Sequence, residues 1–290
     1  MPVDMRWFPA LGLLALWCLA AAPALALDVR FVPAAPRPGD LVVVSLEGEP
    51  PARVTGTLGE RSLAFFARGR VHVAVAGVDL DTPARPLAWQ VRVEDASGRA
   101  RHVAGTLSVT PREFTVQRLS VPGSMVDLDP ETERRALAET ARLRAVYGTV
   151  TADRLWEGRF IRPVPGEGPG RGFGARRVIN GKPRAPHAGV DFAAVTGTPV
   201  FAANRGRVAL VGEFFFPGRL VVLDHGLGLH TVYFHLDRID VNEGVLVERG
   251  ATIGAVGATG RVTGPHLHFG AQVRESRVDP DLLFTLSVPD

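Results

Sequence analysis

Six of the eight histidines fall between His187 and His268, and two segments there hold groups that could share one cation. Pro186-His187-Ala188-Gly189-Val190-Asp191 sets an imidazole and a carboxylate four residues apart, and Gly264-Pro265-His266-Leu267-His268-Phe269 sets two imidazoles at i and i+2. On a strand, i and i+2 project from the same face, so His266 and His268 can reach one point while Leu267 anchors the opposite face in a core. Neutral imidazoles with one carboxylate suit Zn²⁺ at about 2.0–2.2 Å and leave a fourth tetrahedral position for water, the arrangement of a catalytic site. The only cysteine is Cys18, so a thiolate-bound structural zinc has no ligands further along the chain. Neither H-x-H nor H-x-x-x-D is specific alone. No H-E-x-x-H motif occurs, which removes its glutamate as general base and leaves imidazole, with an ordinary pKa of about 6.5, as the natural replacement. His225 and His230 read as structural residues near a strand end, and the isolated His72 and His102 as ordinary strand residues.

The elements that must position these groups are mostly strands. Apolar residues make up 46% and charged residues 22% of 290, enough for two ordinary domains, and 32 Gly with 23 Pro favour a turn-rich β protein over a bundle or coiled coil. From 27 to 112, short β-prone runs occur at Leu41–Leu46, Arg53–Leu58, Ser62–Ala67, Val71–Val78, Leu87–Glu94 and Val103–Val109. Six strands at a spacing of about ten residues point to an immunoglobulin-like β-sandwich. A linker at 113–160 carries one helix, 130–147: Asp129 can cap it, Pro130 fits its first position, Glu131 and Glu133 lie at the positive end of its dipole, and Gly148 can end it. After the Pro/Gly-rich stretch 162–174, the domain at 161–286 is again strands and Gly turns, clearest at Leu220–Leu223, Thr231–Phe234, Ile253–Val256 and Leu267–Val273.

Residues 1–26 read as an export signal. Arg6 precedes an apolar stretch from Leu11 to Ala22, and Ala24-Leu25-Ala26 offers an A-x-A cleavage site. The competing reading is an uncleaved amino-terminal membrane anchor, since the apolar run from Trp7 to Leu27 is long enough to span a bilayer. Trp17 before Cys18 argues against lipidation. The net charge is only +3 and the arginines are scattered, so the basic balance does not argue for nucleic acid, and there is no G-x-x-x-x-G-K-[ST] loop.

Together with Thr231-Val232-Tyr233-Phe234-His235-Leu236, and in this order, the histidine segments resemble the lysostaphin/LytM-type zinc metallopeptidases that cut peptidoglycan peptides. The resemblance extends over Gly172-Phe173-Gly174-Ala175-Arg176-Arg177, Gly197-Thr198-Pro199-Val200, Gly206-Arg207-Val208, Asp224-His225-Gly226 and Gly257-Ala258-Thr259-Gly260, roughly residues 160–285. It implies a carboxy-terminal antiparallel β-sheet metallopeptidase domain with one Zn²⁺ held by His187, Asp191 and His268. His235 and His266 are then the non-ligand catalytic pair, jointly assigned to water activation and to the tetrahedral oxyanion. Two imidazoles and one carboxylate leave the ion a net charge near +1, which lowers the pKa of bound water toward about 7. Asn180 and Arg176 are expected to line the cleft. The implied function is an exported endopeptidase acting on peptidoglycan cross-links or stem peptides, in the periplasm of a Gram-negative bacterium. The competing function is a catalytically silent wall-binding regulator of a partner hydrolase. A sandwich laid over the cleft would hold the enzyme inactive, and a chain beginning near Arg154 would then be the more active form.

Overall fold

The structure, a computed structural model, describes residues 27–47 and 53–288; the export segment and Cys18 lie outside them. The first domain is a sandwich of two four-stranded antiparallel sheets. One sheet joins β1 (Asp28–Val32), β2 (Leu41–Glu47), β6 (Val71–Gly77) and β5 (Phe66–Arg68); the other joins β4 (Arg61–Ser62), β3 (Arg53–Leu58), β7 (Leu87–Glu94) and β8 (Ala100–Leu107). Two expectations need correction. The run Ser62–Ala67 is not one strand: β4 and β5 belong to different sheets, and the chain crosses between them with Leu63 buried in the sandwich core. The last strand begins at Ala100 and ends at Leu107, because its register with β7 runs from Glu94 to Leu87.

β2 and β6 have no solvent-facing side over most of their length. Strand geometry sends alternate side chains to opposite faces. Val42, Val44, Ala74 and Ala76 fill the space between the two sheets, while Leu41, Val43, Val73 and Val75 join the core of the second domain beside Trp156, Val278 and Leu283. At this seam the approach is close: a Cβ on Gly77 would lie 2.7 Å from both Ser276 Cβ and Val278 Cγ1. Ion pairs flank it. Arg277 Nη2 lies 2.6 Å from Asp79 and 2.8 Å from Asp81, and Arg112 Nη2 lies 2.8 Å from Asp279.

A connector follows. Its strand β9 (Val116–Leu119) pairs in parallel with β10 (Arg176–Ile179), which pairs with the short β11 (Lys182–Pro183). Helix α1 (Pro130–Tyr147) begins where Asp129 accepts from Glu131 N and Thr132 N and ends at Gly148. It lies on the second domain, with Leu143 packed among Leu210, Phe214, Leu220 and Val222, while Glu139 Oε2 accepts from Phe215 N at 2.6 Å.

The second domain is built on a nine-stranded antiparallel sheet. Its main path runs β12 (Gly189–Ala193), β19 (His266–Val273), β16 (Leu229–Ile239), β15 (Gly218–Asp224), β14 (Gly206–Phe214) and β17 (Leu246–Val247); β13 (Pro199–Phe201), β18 (Thr252–Val256) and β20 (Ser276–Val278) pair off this path. β12 and β16 flank β19, which brings the two histidine segments together with His235. No described helix is long and apolar enough to cross a membrane.

Candidate metal and catalytic centre

Asp191 stands directly opposite His268 in the β12–β19 ladder, and His187 lies two residues before β12. The His187 backbone is pinned there, donating to Ala175 O at 3.0 Å and accepting from Gly174 N at 2.8 Å. Three atoms converge as a result. His187 Nε2 lies 2.8 Å from His268 Nδ1, and Asp191 Oδ1 lies 3.0 Å from each. The position of His268 depends on glycine, since a Cβ on Gly189 would lie 2.8 Å from His268 Nε2 and 2.4 Å from Phe269 O.

The donor set fits a divalent cation. His187 Nδ1 lies 2.9 Å from Gly172 O, an acceptor only, so Nδ1 carries the proton and Nε2 turns a lone pair inward. Burial lowers the His268 pKa to about 4, against the opposing hydrogen bond to the Asp191 carboxylate. For Asp191, burial favours the neutral acid, but the facing imidazoles of His187 and His268 outweigh it and hold the carboxyl below the usual range. His187 Nε2 and the ionised Asp191 Oδ1 thus face His268 Nδ1 as acceptors at hydrogen-bond distance, a cluster short of positive charge that a metal ion would supply.

His235 and His266 adjoin this trio, their ring centroids 4.9 Å apart, with His235 6.1 Å from His268. His235 is on β16, where φ of +64° breaks the regular alternation. Its Nδ1 donates to Thr259 O at 2.9 Å, and His266 Nδ1 donates to Gly264 O at 2.8 Å. Each therefore keeps Nε2 as an acceptor, and His266 Nε2 lies 3.7 Å from Asp191 Oδ1. Burial, with the neighbouring His268 and His266 charges, pushes the His235 pKa down to about 3. Both non-ligand imidazoles thus keep a lone pair on Nε2 beside the trio. The three carbonyls that set these tautomers, from Gly172, Thr259 and Gly264, have no signature in sequence because every residue carries one.

Asn180 and Arg176 do something other than line the cleft. Asn180, at φ +49°, accepts from Val121 N at 3.1 Å and donates to Val121 O at 2.8 Å, fastening the connector. Arg176 turns outward, 2.6 Å from Asp81 and over the Phe114 ring. Its neighbour Arg177 faces the centre instead, 3.9 Å from Asp191, as strand alternation requires. The connector forms one wall of the cleft: Gln117, Leu119 and Val121 face Asp191, His235 and His266 across about 60 Å³. It is this segment, not the sandwich, that lies beside the histidines. His225 and His230 are fully buried elsewhere. His225 bonds Arg205 O and Thr231 Oγ1, each at 2.8 Å, and His230 Nε2 lies 3.2 Å from Thr149 Oγ1.

Comparison with known proteins converges on the same part of the chain. Residues 185–280 match the profile of peptidase family M23. The chain is similar to the peptidoglycan DD-endopeptidase ShyB of Vibrio cholerae, 47% identical over 94 residues that cover 32% of this chain and 22% of that protein. It is also similar to ShyA, a peptidoglycan DD-endopeptidase of the same organism, 48% identical over 90 residues covering 31% and 21%. The chain therefore spans about a fifth of the length of these curated relatives. A crystal structure of a candidate M23 peptidase from Pseudomonas aeruginosa is similar over 86% of this chain and 95% of its own, with 30% identity and a TM-score of 0.62. A likeness of that extent takes in the sandwich as well as the histidine-bearing domain.

Proposed function

We propose that this chain, which belongs to peptidase family M23, is a zinc-dependent endopeptidase that hydrolyses peptide bonds in peptidoglycan cross-links or stem peptides. The observation that carries the reading is the meeting of His187 Nε2, His268 Nδ1 and Asp191 Oδ1 within 3.0 Å of one another beside two imidazoles whose Nδ1 atoms are engaged by backbone carbonyls. His187, Asp191 and His268 hold the metal. Bound there, Zn²⁺ supplies a Lewis acid that polarises the scissile carbonyl and acidifies water. His235 and His266 turn acceptor nitrogens toward the same space, where they take the proton of an attacking water and then, as imidazolium, stabilise the tetrahedral oxyanion and protonate the leaving amine. Action outside the cytoplasm, with residues 1–26 as an export signal, follows from that substrate. The division into a sandwich at 27–112, a connector at 113–160 and a peptidase domain at 161–286 belongs to the same proposal.

The test is digestion of purified peptidoglycan with and without a chelator and zinc re-addition, with released fragments read by mass spectrometry. Chelator-sensitive loss of cross-linked dimers is expected. No cleavage by zinc-loaded protein, together with an effect on a separate hydrolase, would overturn the reading in favour of a silent regulator.

A further inference from the structure

Arg177 and Arg261 line the cleft, and Arg184 joins Arg261 in lining the cavity beside it. Arg177 on β10, Arg184 just after β11 and Arg261 in the turn before β19 are all partly buried. Burial lowers the Arg261 pKa, and the charges of Arg177 and Arg184 add to that effect, so both lie within electrostatic reach of Arg261. Two of the nearby acids are already committed, and a third, Glu133, borders the adjoining cavity. Asp191, 3.9 Å from Arg177, belongs to the proposed metal ligands, and Asp127, which feels the charge of Arg184, is bonded to Lys182 Nζ.

The hydrogen-bonding capacity of the trio is also largely unused. A guanidinium carries five N–H donors. Arg261 Nη1 donates to Met125 O at 3.3 Å and Arg184 Nη2 to Val126 O at 3.2 Å, two neutral carbonyls of adjacent connector residues, while Arg177 Nε is buried with no hydrogen-bond partner. Arg261 Cζ sits over the Phe216 ring, 4.2 Å from its centroid, a contact that helps hold the guanidinium in place. It also joins two spaces: the narrow cleft at the histidines and an adjoining cavity of about 620 Å³ lined by Arg184, Leu128, Leu137 and Phe216. The larger space has room for a ligand of several residues.

We infer that Arg177, Arg184 and Arg261 form an anion subsite that takes a carboxylate of the substrate peptide, so that wall peptides with free carboxylates are preferred to their amidated counterparts. A planar fork satisfies a carboxylate with two charge-assisted bonds, better than a neutral carbonyl does. The inference deepens the endopeptidase reading and takes the identity of the ligand from it.

Calorimetric titration of the full chain with a stem tetrapeptide bearing free carboxylates, and with the same peptide fully amidated, tests it. The free acid is expected to bind at least about tenfold more tightly at low salt. Arg261→Gln or Arg184→Gln should remove most of that difference while leaving the amide unchanged. Equal affinities, no binding of either peptide at millimolar concentration, or a preference that survives both single substitutions would overturn the inference; circular dichroism checks that each variant is folded. Hydrolysis of a cross-linked dimer, assayed in parallel, separates the two readings. Cleavage without an acid preference refutes the subsite alone, and an acid preference without cleavage refutes the endopeptidase alone.

Discussion

Adding one methyl group at Gly189 should dismantle the metal centre while leaving every proposed ligand in place. A Cβ there would meet Phe269 O at 2.4 Å and His268 Cε1 and Nε2 at 2.8 Å, and Gly189 is fixed in the ladder opposite Gly270. Ordinary contact needs about 3.4 Å, so the β12–β19 pair must spread by nearly 1 Å on the side where Asp191 and His268 face each other. A displacement of that size in a catalytic constellation costs on the order of 10²-fold in rate, or about 2.7 kcal/mol. Overpacking of the ladder costs roughly 1–3 kcal/mol of stability, and at roughly 2–4 °C per kcal/mol Tm should fall by several degrees. Zinc affinity, from competition with a chromophoric chelator, should fall by about 10–100-fold, the usual effect of disturbing the support of a ligand. Gly123→Ala, where a Cβ would meet nothing within 4 Å, is the control and should change none of these. If Gly189→Ala kept wild-type zinc affinity and full hydrolysis, the packing argument for the centre would be wrong.

Three other perturbations have definite signs. Burial lowers the His225 pKa to about 4 from an unfolded value near 6.5, so the unfolded chain binds the extra proton between those values. Its contribution, about 3 kcal/mol, is complete above pH 6.5 and is lost as pH falls toward 4; urea unfolding of His225→Gln across that window should show a shallower slope than wild type, and an identical slope would refute it. Arg277→Ala removes the guanidinium paired with Asp79 at the domain seam and leaves Asp81 to Arg176 alone; it should cost about 1–3 kcal/mol in chemical denaturation, whereas loss below 0.5 kcal/mol would mean the ion pairs are idle. Asn180→Gly removes two bonds to Val121 worth roughly 0.5–1.5 kcal/mol each and suits φ +49°; hydrolysis should rise up to about tenfold as the connector loosens, while a fall would restore Asn180 as a substrate contact.

Periodicity and local chemistry made the regular elements legible. The helix followed from Asp129, Pro130 and Gly148, and most long strands from apolar runs. Where reading by pattern failed, a side chain answered to a distant partner. Ser62–Ala67 looks continuous, yet Leu63 turns into the sandwich where the chain changes sheets. Arg176 and Arg177 are the same residue type side by side, and only the parity of β10, set by its pairing with β9, sends one to Asp81 and the other to Asp191. The convergence of His187, Asp191 and His268 is compatible with the i, i+2 argument, but that argument leaves His266 and His268 equivalent. What separates them is that His266 spends Nδ1 on Gly264 O whereas His268 turns Nδ1 inward, a matter of loop carbonyls that no residue type announces.

The two buried faces of β2 and β6 limit how the protein can be regulated. A module whose own strands supply Leu41, Val43, Val73 and Val75 to its neighbour's interior cannot swing aside on a tether without exposing aliphatic surface to water. Deleting everything before Arg154 would strip the same surface bare, so such a truncation would report on solubility as much as on access to the cleft. The sandwich acts as a footing. A gate is better sought in the connector ahead of its helix, held to the cleft wall by a short parallel ladder, one asparagine, two arginine–carbonyl bonds and the Lys182–Asp127 pair. A ligand whose carboxylate displaced those carbonyls would loosen the latch in the act of binding, making admission to the histidines conditional on the charge of the peptide that arrives.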